Sequence, residues 1–287
     1  MSEWTDIIEG LADHIALLKE LGERTVEIDP AAMRAFAASG GPPVLSAAPA
    51  LAAAATRAAA PVSGPPAGRA PAPTTSSART LTLEERQKAL GEIAARADAC
   101  AACVLRQQRT RSVPGQGNAN APDIMFIGEA PGAEEDQQGH AFVGAAGQFL
   151  TKMIQAMGYT REEVFIANIC KCRPPKNRTP QPEEMQACLP LLREQIRIVQ
   201  PKVIVLLGGT AIKGLLDTQV GVTRMQGQWT RYEGIPVMPT FHPAYILRFE
   251  AFKDMAGLKK AKTEVWHALK LVLAQLGKPL PLPAANK

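Results

Sequence analysis

Aromatic residues are scarce in this chain, and long apolar runs are absent. Phe, Trp and Tyr together make up 5% of the 287 residues, so each aromatic ring beside a motif is more informative than usual. The sequence shows neither a secretory signal peptide nor an apolar run of membrane length. We therefore expect a cytoplasmic protein that makes no membrane contact and whose five cysteines are not joined in disulfides.

The net charge is weakly positive. It amounts to +5 at pH 7, with a pI near 9.0. Such a charge permits a polyanionic partner without requiring one. At 46% hydrophobic residues the chain can bury a sizeable core, and its length exceeds that of one average domain.

Composition divides the chain into four segments. Residues 38–80 are rich in Ala, Pro, Gly, Ser and Thr and carry few charges, which predicts a disordered linker that cannot bury enough apolar surface to fold. Residues 1–37 contain an amphipathic pattern from Trp4 to Leu21, which predicts a helical arm suited to a protein partner. The folded domain is predicted over 81–277, and 278–287 form a loose tail.

Apolar runs that predict strands alternate with helical patterns in the predicted domain. The predicted strands are 124–127, 164–169, 203–207 and 237–240, with a hairpin around 229–234 and helices at 81–98, 147–157, 183–199, 210–216 and 258–276. This alternation predicts an α/β fold of three layers, αβα, with a central, mostly parallel four-stranded sheet and a disordered N-terminal extension. Ligands of such folds bind beyond the carboxyl ends of the strands.

One predicted strand leads directly into a loop of unusual composition. Gly128-Glu129-Ala130-Pro131-Gly132 follows the strand, and three carboxylates at 134–136 and the ring of Phe142 come soon after. Glycines allow close approach of a ligand, so the loop suits a site that binds a flat polar molecule. The alternative is an ordinary strand-to-helix turn followed by a solvated acidic run, because short motifs often occur by chance.

Four cysteines have a spacing typical of metal ligands. Cys100 and Cys103 form a C-x2-C pair, and Cys172 and Cys188 follow further along the chain. Four thiolates fit either zinc or an iron–sulfur cluster, and the spacing does not choose between them. Cys170 is an alternative to Cys172 as a ligand, but we expect it to be a buried free thiol. The remaining alternative is that all are scattered core cysteines.

Four motifs together resemble the family 4 uracil-DNA glycosylases. They are GEAPG-x-EED from Gly128, FVG-x-AG from Phe142, KCRPP-x-NR from Lys171 and HPAY-x-LR from His242. The resemblance covers roughly residues 81–275. It implies a monofunctional prokaryotic DNA-repair enzyme, associated with the nucleoid, that excises uracil from single- or double-stranded DNA, leaves an abasic site and carries a [4Fe–4S] cluster. We expect a monomer.

The resemblance also implies roles for individual residues. The cluster ligands would be Cys100, Cys103, Cys172 and Cys188. The uracil-binding residues would be Gly128, Glu129, Ala130, Phe142, Asn168 and His242, with Glu129, Asn168 and His242 as catalytic residues. A flipped uracil needs a stacking surface, a carboxamide that matches O4 and N3–H, and a donor to the charge that develops on O2.

The sequence leaves open which group positions the attacking water, and it departs from the family pattern before Phe142. Ala130 stands where the family 1 enzymes have an aspartate, and the nearby carboxylates cannot be ranked from sequence: Glu129, Glu134, Glu135 and Asp136. His140-Ala141 precede Phe142, where relatives of family 4 have a basic residue and a proline. We expect His140 to be an exposed substitute rather than a catalytic group.

Contacts with DNA are predicted around the last motif and the cysteines. Leu247 is our candidate for the apolar side chain that fills the gap left by a flipped base, and Arg248 for a phosphate contact. Arg173 belongs to a basic group beside the cysteines that suits the phosphate backbone.

Two other functions are compatible with parts of the sequence, whereas a third is argued against. A DNA-binding module held together by a metal cluster, without catalysis, would need the cysteines but not the uracil-binding set. A glycosylase acting on other deaminated bases would share the same motifs. A relative that forms a covalent DNA adduct would need a histidine in the segment that is Lys176-Asn177-Arg178-Thr179-Pro180 here, which contains none.

Overall fold

Six strands form one sheet in the computed structural model, which describes residues 81–280. The strands are β1 (Gln116–Gly117), β2 (Ile124–Gly128), β3 (Phe165–Asn168), β4 (Val203–Leu207), β5 (Thr230–Tyr232) and β6 (Ile235–Thr240). Their order is β1-β3-β2-β4-β6-β5, with parallel pairing among the four central strands and antiparallel pairing at both edges. The predicted α/β class is confirmed, whereas the strand count of four is wrong.

Both additional strands are short and lie at the edges. β1 has two residues and no apolar pattern, so no sequence signal marks it. Gly117 has φ +126°, and a Cβ there would lie 2.0 Å from the carbonyl oxygen of Val164, so only glycine allows β1 to approach β3. β5 is the first arm of the predicted hairpin, which turns at Glu233 and Gly234.

The described residues form eight α-helices, the first of them before β1. They are α1 (Leu83–Ala99), α2 (Ala133–Gln138), α3 (Ala145–Ala156), α4 (Pro182–Val199), α5 (Gly209–Leu216), α6 (Val222–Met225), α7 (Pro243–Ala251) and α8 (Met255–Gln275). Sequence patterns did not predict α2, α6 or α7. None of the helices within residues 81–280 is both long and apolar enough to cross a membrane. The predicted arm, the predicted linker and residues 281–287 lie outside the described residues.

Helices cover both faces of the sheet, as predicted for three layers. Side chains of a strand alternate between faces, so Ile124 and Phe126 of β2 belong to one core, whereas Met125 and Ile127 belong to the other. Helices α3, α7 and α8 close the first core, and α4 and α5 close the second. All residues of β2 are buried, and each fully buried aliphatic side chain contributes about 1.5–3 kcal/mol.

The parallel pairing brings several chain segments to one edge of the sheet. Gly128 at the end of β2 is paired with Asn168 at the end of β3. Leu207 at the end of β4 is paired with Thr240, two residues before His242. The carboxyl ends of the four central strands therefore meet at the edge where ligands of such sheets bind.

Candidate active site

A cavity of about 510 Å³ opens at the carboxyl edge of the sheet. Six of the residues predicted from sequence line it: Glu129, Ala130, Phe142, Asn168, His242 and Arg248. Three other predicted residues do not line it: Gly128, Arg173 and Leu247. Residues from four separate parts of the chain thus converge on one cavity.

Gly128 lies directly behind the cavity wall. A Cβ at this position would lie 2.4 Å from Cζ of Phe142 and 2.5 Å from Oδ1 of Asn168. Real Cβ atoms do not approach other atoms so closely, so only glycine lets both side chains occupy their places. Gly128 therefore shapes the cavity without lining it.

Phe142 forms part of the wall in a strained backbone conformation. Its φ is +54°, in the left-handed region that non-glycine residues rarely adopt, and its side chain is buried. Gly147 of α3 permits this turn, because a Cβ there would lie 1.9 Å from the carbonyl oxygen of Phe142. The ring centroid lies 5.7 Å from that of His242. Strained residues of this kind cluster at functional sites.

Asn168 presents a buried carboxamide to the cavity. It is 2% exposed, and its Oδ1 has no hydrogen-bond partner among the described residues. Buried polar atoms are nearly always paired, so an orphan atom in a cavity wall indicates a ligand that supplies the partner. A carboxamide offers both a donor and an acceptor to that ligand.

His242 caps the N-terminus of α7 with Nδ1, and its other ring nitrogen, Nε2, takes no part in the cap. Its Nδ1 accepts a hydrogen bond from the N–H of Ala244 at 3.1 Å. Burial, together with the charge of Arg248, lowers the pKa of His242 to about 4. The imidazole is therefore neutral near pH 7, and because Nδ1 is an acceptor, its proton resides on Nε2. His242 is thus a neutral hydrogen-bond donor in the cavity wall.

Two of the carboxylates near the cavity have structural roles. Glu135 is buried and accepts hydrogen bonds from the N–H groups of Gly132 at 3.0 Å, Val143 at 2.9 Å and Gly144 at 2.9 Å. Asp136 accepts from the N–H of Thr110 at 2.9 and 3.1 Å. Glu135 therefore connects the loop after β2 to the segment that carries Phe142.

Glu129 differs from these two carboxylates. It lines the cavity, and no hydrogen bond or ion pair of its carboxylate is found within residues 81–280. Glu134 is exposed and does not line the cavity. Among the four carboxylates left unranked by the sequence, Glu129 is the one that is free to contact a ligand or water.

We expect Glu135→Ala to lower the free energy of unfolding by about 1–3 kcal/mol or more, because it leaves three backbone N–H groups without their acceptor. Denaturant unfolding followed by circular dichroism measures this effect. The neighbouring, exposed Glu134→Ala is the matched control and should change stability by less than about 0.5 kcal/mol. Equal stabilities of the two variants would contradict the structural role of Glu135.

The rim of the cavity contains residues that were not assigned to the site from sequence. Tyr245 lines it, is 38% exposed, and stacks on Phe241 with ring centroids 4.8 Å apart. The ring of Phe249 contacts the Tyr245 ring edge to face, with the two centroids 4.9 Å apart. The sequence does contain a signal for this helix, because Pro243 after a capping residue predicts a helix start. Helical spacing then places residues 245 and 248 on one face. Leu247 is only partly exposed and lies outside the lining.

A second loop completes the rim. Pro174, Asn177 and Arg178 line the cavity. Arg178 is fixed by two hydrogen bonds to the carboxylate of Glu184, at 2.6 and 2.8 Å, and Arg173 donates to Oδ1 of Asn177 at 2.7 Å. Arg173 therefore positions the loop beside the cavity while remaining outside the lining.

The predicted metal ligands come from four places in the chain. Cys100 caps the C-terminus of α1, Cys103 precedes a short 3-10 helix, Cys172 follows β3, and Cys188 belongs to α4. Cys170, Cys172 and Cys188 are buried in the same core, and Cys103 packs against it. All five cysteines are free of disulfide bonds, as predicted.

The surroundings of these thiols favour negative charge at Cys188. A hydrogen bond from Cys170, the positive charge of Lys171 and the Lys171 N–H at 3.1 Å lower the pKa of Cys188 to about 6. The hydrogen bond between Cys170 and Cys188, together with burial, raises the pKa of the Cys170 thiol. Arg109 donates to Sγ of Cys172 at 2.9 Å, although burial raises the pKa of that thiol. Cations thus accompany the thiols in this core.

The thiols of this region are a donor set that either zinc or an iron–sulfur cluster could accept. Within residues 81–280, no three His, Cys, Asp or Glu side chains lie close enough to ligate one metal ion. A four-iron cluster does not need such convergence, since each thiolate ligates a different iron. Four thiols with cationic neighbours are a donor set suited to such a cluster.

Comparison with known proteins identifies the family. The family model described as the uracil DNA glycosylase superfamily matches residues 114–270. The type-4 uracil-DNA glycosylase of Thermotoga maritima is 46% identical over 167 residues, which are 57% of this chain and 85% of that protein. The type-4 enzyme of Sulfurisphaera tokodaii is 46% identical over 52% of this chain and 71% of its own length.

A third relative gives the same result. The type-4 uracil-DNA glycosylase of Pyrobaculum aerophilum is 43% identical over 162 residues, which cover 54% of this chain and 82% of that protein. The family model spans more than half of the chain, and the matches extend over most of each relative. The chain therefore belongs to the uracil DNA glycosylase superfamily and, within it, to the type-4 enzymes.

Proposed function

We propose that this chain excises uracil from DNA by hydrolysing the N-glycosidic bond, which leaves an abasic site. The observation that carries the proposal is the convergence of three different groups on one cavity. These are the ring of Phe142, the unpaired carboxamide of Asn168 and the neutral imidazole of His242. Each of them matches one feature of an extruded uracil.

Recognition of the base follows from the first two groups. A base within a duplex is unreachable, so it must be extruded at a free-energy cost of a few kcal/mol. The Phe142 ring offers a stacking surface for it. The Asn168 carboxamide can donate to O4 and accept from N3–H of uracil, whereas cytosine presents the opposite pattern of donor and acceptor.

Departure of the base is assisted by His242. Cleavage of the glycosidic bond places negative charge on the uracil ring, chiefly at O2. A donor that is already oriented toward that oxygen stabilises the charge as it develops. The N–H of Ala244 fixes the imidazole tautomer, so Nε2–H needs no reorganisation during the reaction.

The water that attacks the sugar is positioned by Glu129 in this proposal. Its carboxylate is the unpaired one in the cavity wall, whereas Glu135 is occupied by three N–H groups. Loss of uracil leaves an oxocarbenium-like sugar. Both carboxylates line the cavity and stabilise that positive charge electrostatically.

The proposed cofactor is a [4Fe–4S] cluster held by Cys100, Cys103, Cys172 and Cys188. When bound, such a cluster would cross-link the end of α1, the loop after β3 and helix α4. Its role here is structural, and none of the steps above depends on it. The DNA contacts proposed for Arg173, Leu247 and Arg248 would surround the cavity mouth.

A glycosylase assay tests the proposed function. Oligonucleotides containing one uracil, single-stranded or opposite guanine or adenine, are incubated with the full-length protein and then cleaved with alkali. We expect strand scission at the uracil and none in matched oligonucleotides that carry thymine or cytosine there. Absence of uracil-dependent scission would refute the proposal. Matched oligonucleotides with hypoxanthine or xanthine determine whether other deaminated bases are also substrates.

We also expect that a protein truncated to begin near residue 80 keeps its fold, its iron content and its excision rate on short oligonucleotides. The reason is that α1 starts at Leu83 with a complete capping box between Thr82 and Glu85, and the proposed site lies wholly within residues 81–280. The assay above, with circular dichroism, measures this. Unfolding or loss of excision on truncation would place residues 1–80 within the catalytic domain instead of a partner-binding arm.

A further inference from the structure

Lys171 is a buried cation that the mechanism above does not use. It is 1% exposed, and no carboxylate pairs with it among the described residues. Its Nζ donates instead to the carbonyl oxygen of Asn168 at 2.9 Å and to Oε1 of Gln195 at 2.6 Å. Both acceptors are neutral. Because a buried charge is expensive unless it is compensated, the position of this lysine needs an explanation.

The contact with Asn168 fixes the peptide group next to the base-binding carboxamide. β3 ends at Asn168, and the chain continues beside the loop after β2, where Ile169 N–H donates to Gly128 O at 2.9 Å. The Lys171 side chain reaches back and occupies the carbonyl of Asn168. Gln195 is held in turn by its donation to Pro114 O at 2.7 Å, so its Oε1 faces Nζ.

The same lysine contacts the cysteine region. Its backbone N–H donates to Sγ of Cys188 at 3.1 Å. One residue connects the base-binding asparagine with a proposed cluster ligand.

We propose that Lys171 is a positioning residue that holds Asn168 in its base-binding orientation through its hydrogen bond to the Asn168 carbonyl. The inference rests on the proposed function, since it concerns the same cavity.

Replacement of Lys171 by methionine in the full-length protein tests this role, because methionine has a similar length but neither charge nor donor. We expect kcat for uracil excision to fall by about 10- to 100-fold, the scale of a misplaced catalytic group, with KM little changed. Thermal stability is also expected to fall, because the Asn168 carbonyl and Oε1 of Gln195 lose their donor, so kcat is compared at temperatures at which the variant is folded. Lys213→Met removes an exposed lysine of α5 and is the matched control with unchanged kcat.

A double-mutant cycle separates positioning from a general structural effect. If Lys171 acts through Asn168, Lys171→Met should cause almost no further loss of activity in the Asn168→Ala background. Stabilisation by free uracil in a thermal melt should also be weaker in Lys171→Met than in the wild type. Additive losses in the cycle, or iron lost from Lys171→Met, would overturn the positioning role.

A second variant covers the case in which Lys171→Met does not fold. Gln195→Met leaves the charge in place and removes one of its two acceptors, so a smaller loss of kcat with the same non-additivity is expected. Wild-type rates in the folded variants would overturn the inference while leaving the glycosylase activity intact. Absence of excision by the wild type and by Lys213→Met would instead refute the proposed function.

Discussion

Replacing Asn168 or His242 by alanine is expected to lower the rate of uracil excision by about two to four orders of magnitude, the scale of a lost electrostatic contact to the transition state. Asn168→Ala removes the carboxamide whose oxygen has no partner among the described residues. His242→Ala removes the donor to the developing oxyanion. Single-turnover excision of uracil from an oligonucleotide measures both effects.

The control for this pair is His140→Ala. His140 is exposed, contacts Gln116 through its Nδ1 at 2.9 Å, and does not line the cavity, so its loss should leave the rate within about twofold. Folding and iron content should be retained in all three variants. Rates near that of the wild type in both Asn168→Ala and His242→Ala would place the catalytic site elsewhere.

The low pKa of His242 also determines the pH dependence. The imidazole stays neutral in the folded protein until the pH falls to about 4. Protonation of this histidine should therefore cause no decline of the excision rate as the pH is lowered through 6.5. Between pH 4 and pH 6.5 the imidazole of His242 binds a proton more readily in the unfolded chain than in the folded chain. Stability should therefore fall as the pH drops from 6.5 toward 4, and this component should be missing in His242→Ala.

Replacing Cys172 by alanine is expected to abolish the brown colour of the purified protein, with iron falling from about four atoms per chain to nearly none. Cys172 is one of the four proposed ligands. Cys170→Ala is the matched variant two residues away, and it should keep the iron, because Cys170 serves as a protonated donor to Cys188. Visible absorption near roughly 400 nm and iron analysis measure both outcomes.

Two results would contradict this assignment. A colourless wild-type protein with one zinc and no iron would refute the cluster while leaving the four ligands in place. Loss of iron in Cys170→Ala, with retention in Cys172→Ala, would exchange the roles of the two thiols. Circular dichroism of each variant distinguishes loss of metal from loss of fold.

Much of the cavity was predictable from where strands end. Asn168 is the penultimate residue of one predicted strand, the loop from Gly128 follows another, and His242 follows a third. In a parallel sheet these ends meet at one edge, so sequence positions more than 100 apart could be placed together before any coordinates. Glu129, Asn168 and His242 all line one cavity.

Roles that depend on contacts between distant backbone groups could not be predicted. Glu135 is one of three consecutive acids in the sequence, and only the fold brings the N–H groups of Val143 and Gly144 to its carboxylate. Lys171 begins a motif that contains three further basic residues, yet its buried side chain turns inward to the Asn168 carbonyl. Charge patterns do not show the direction in which a side chain points.

The two short edge strands bear on how this protein behaves at high concentration. An uncovered edge of a parallel sheet offers unpaired N–H and C=O groups to other chains, which promotes aggregation. β1 covers the edge of β3, the strand that ends at Asn168, and it does so only because Gly117 has no side chain. A side chain at position 117 would detach this cover and expose an apolar catalytic strand. Gly117, remote from the proposed site, thereby keeps the edge of β3 paired.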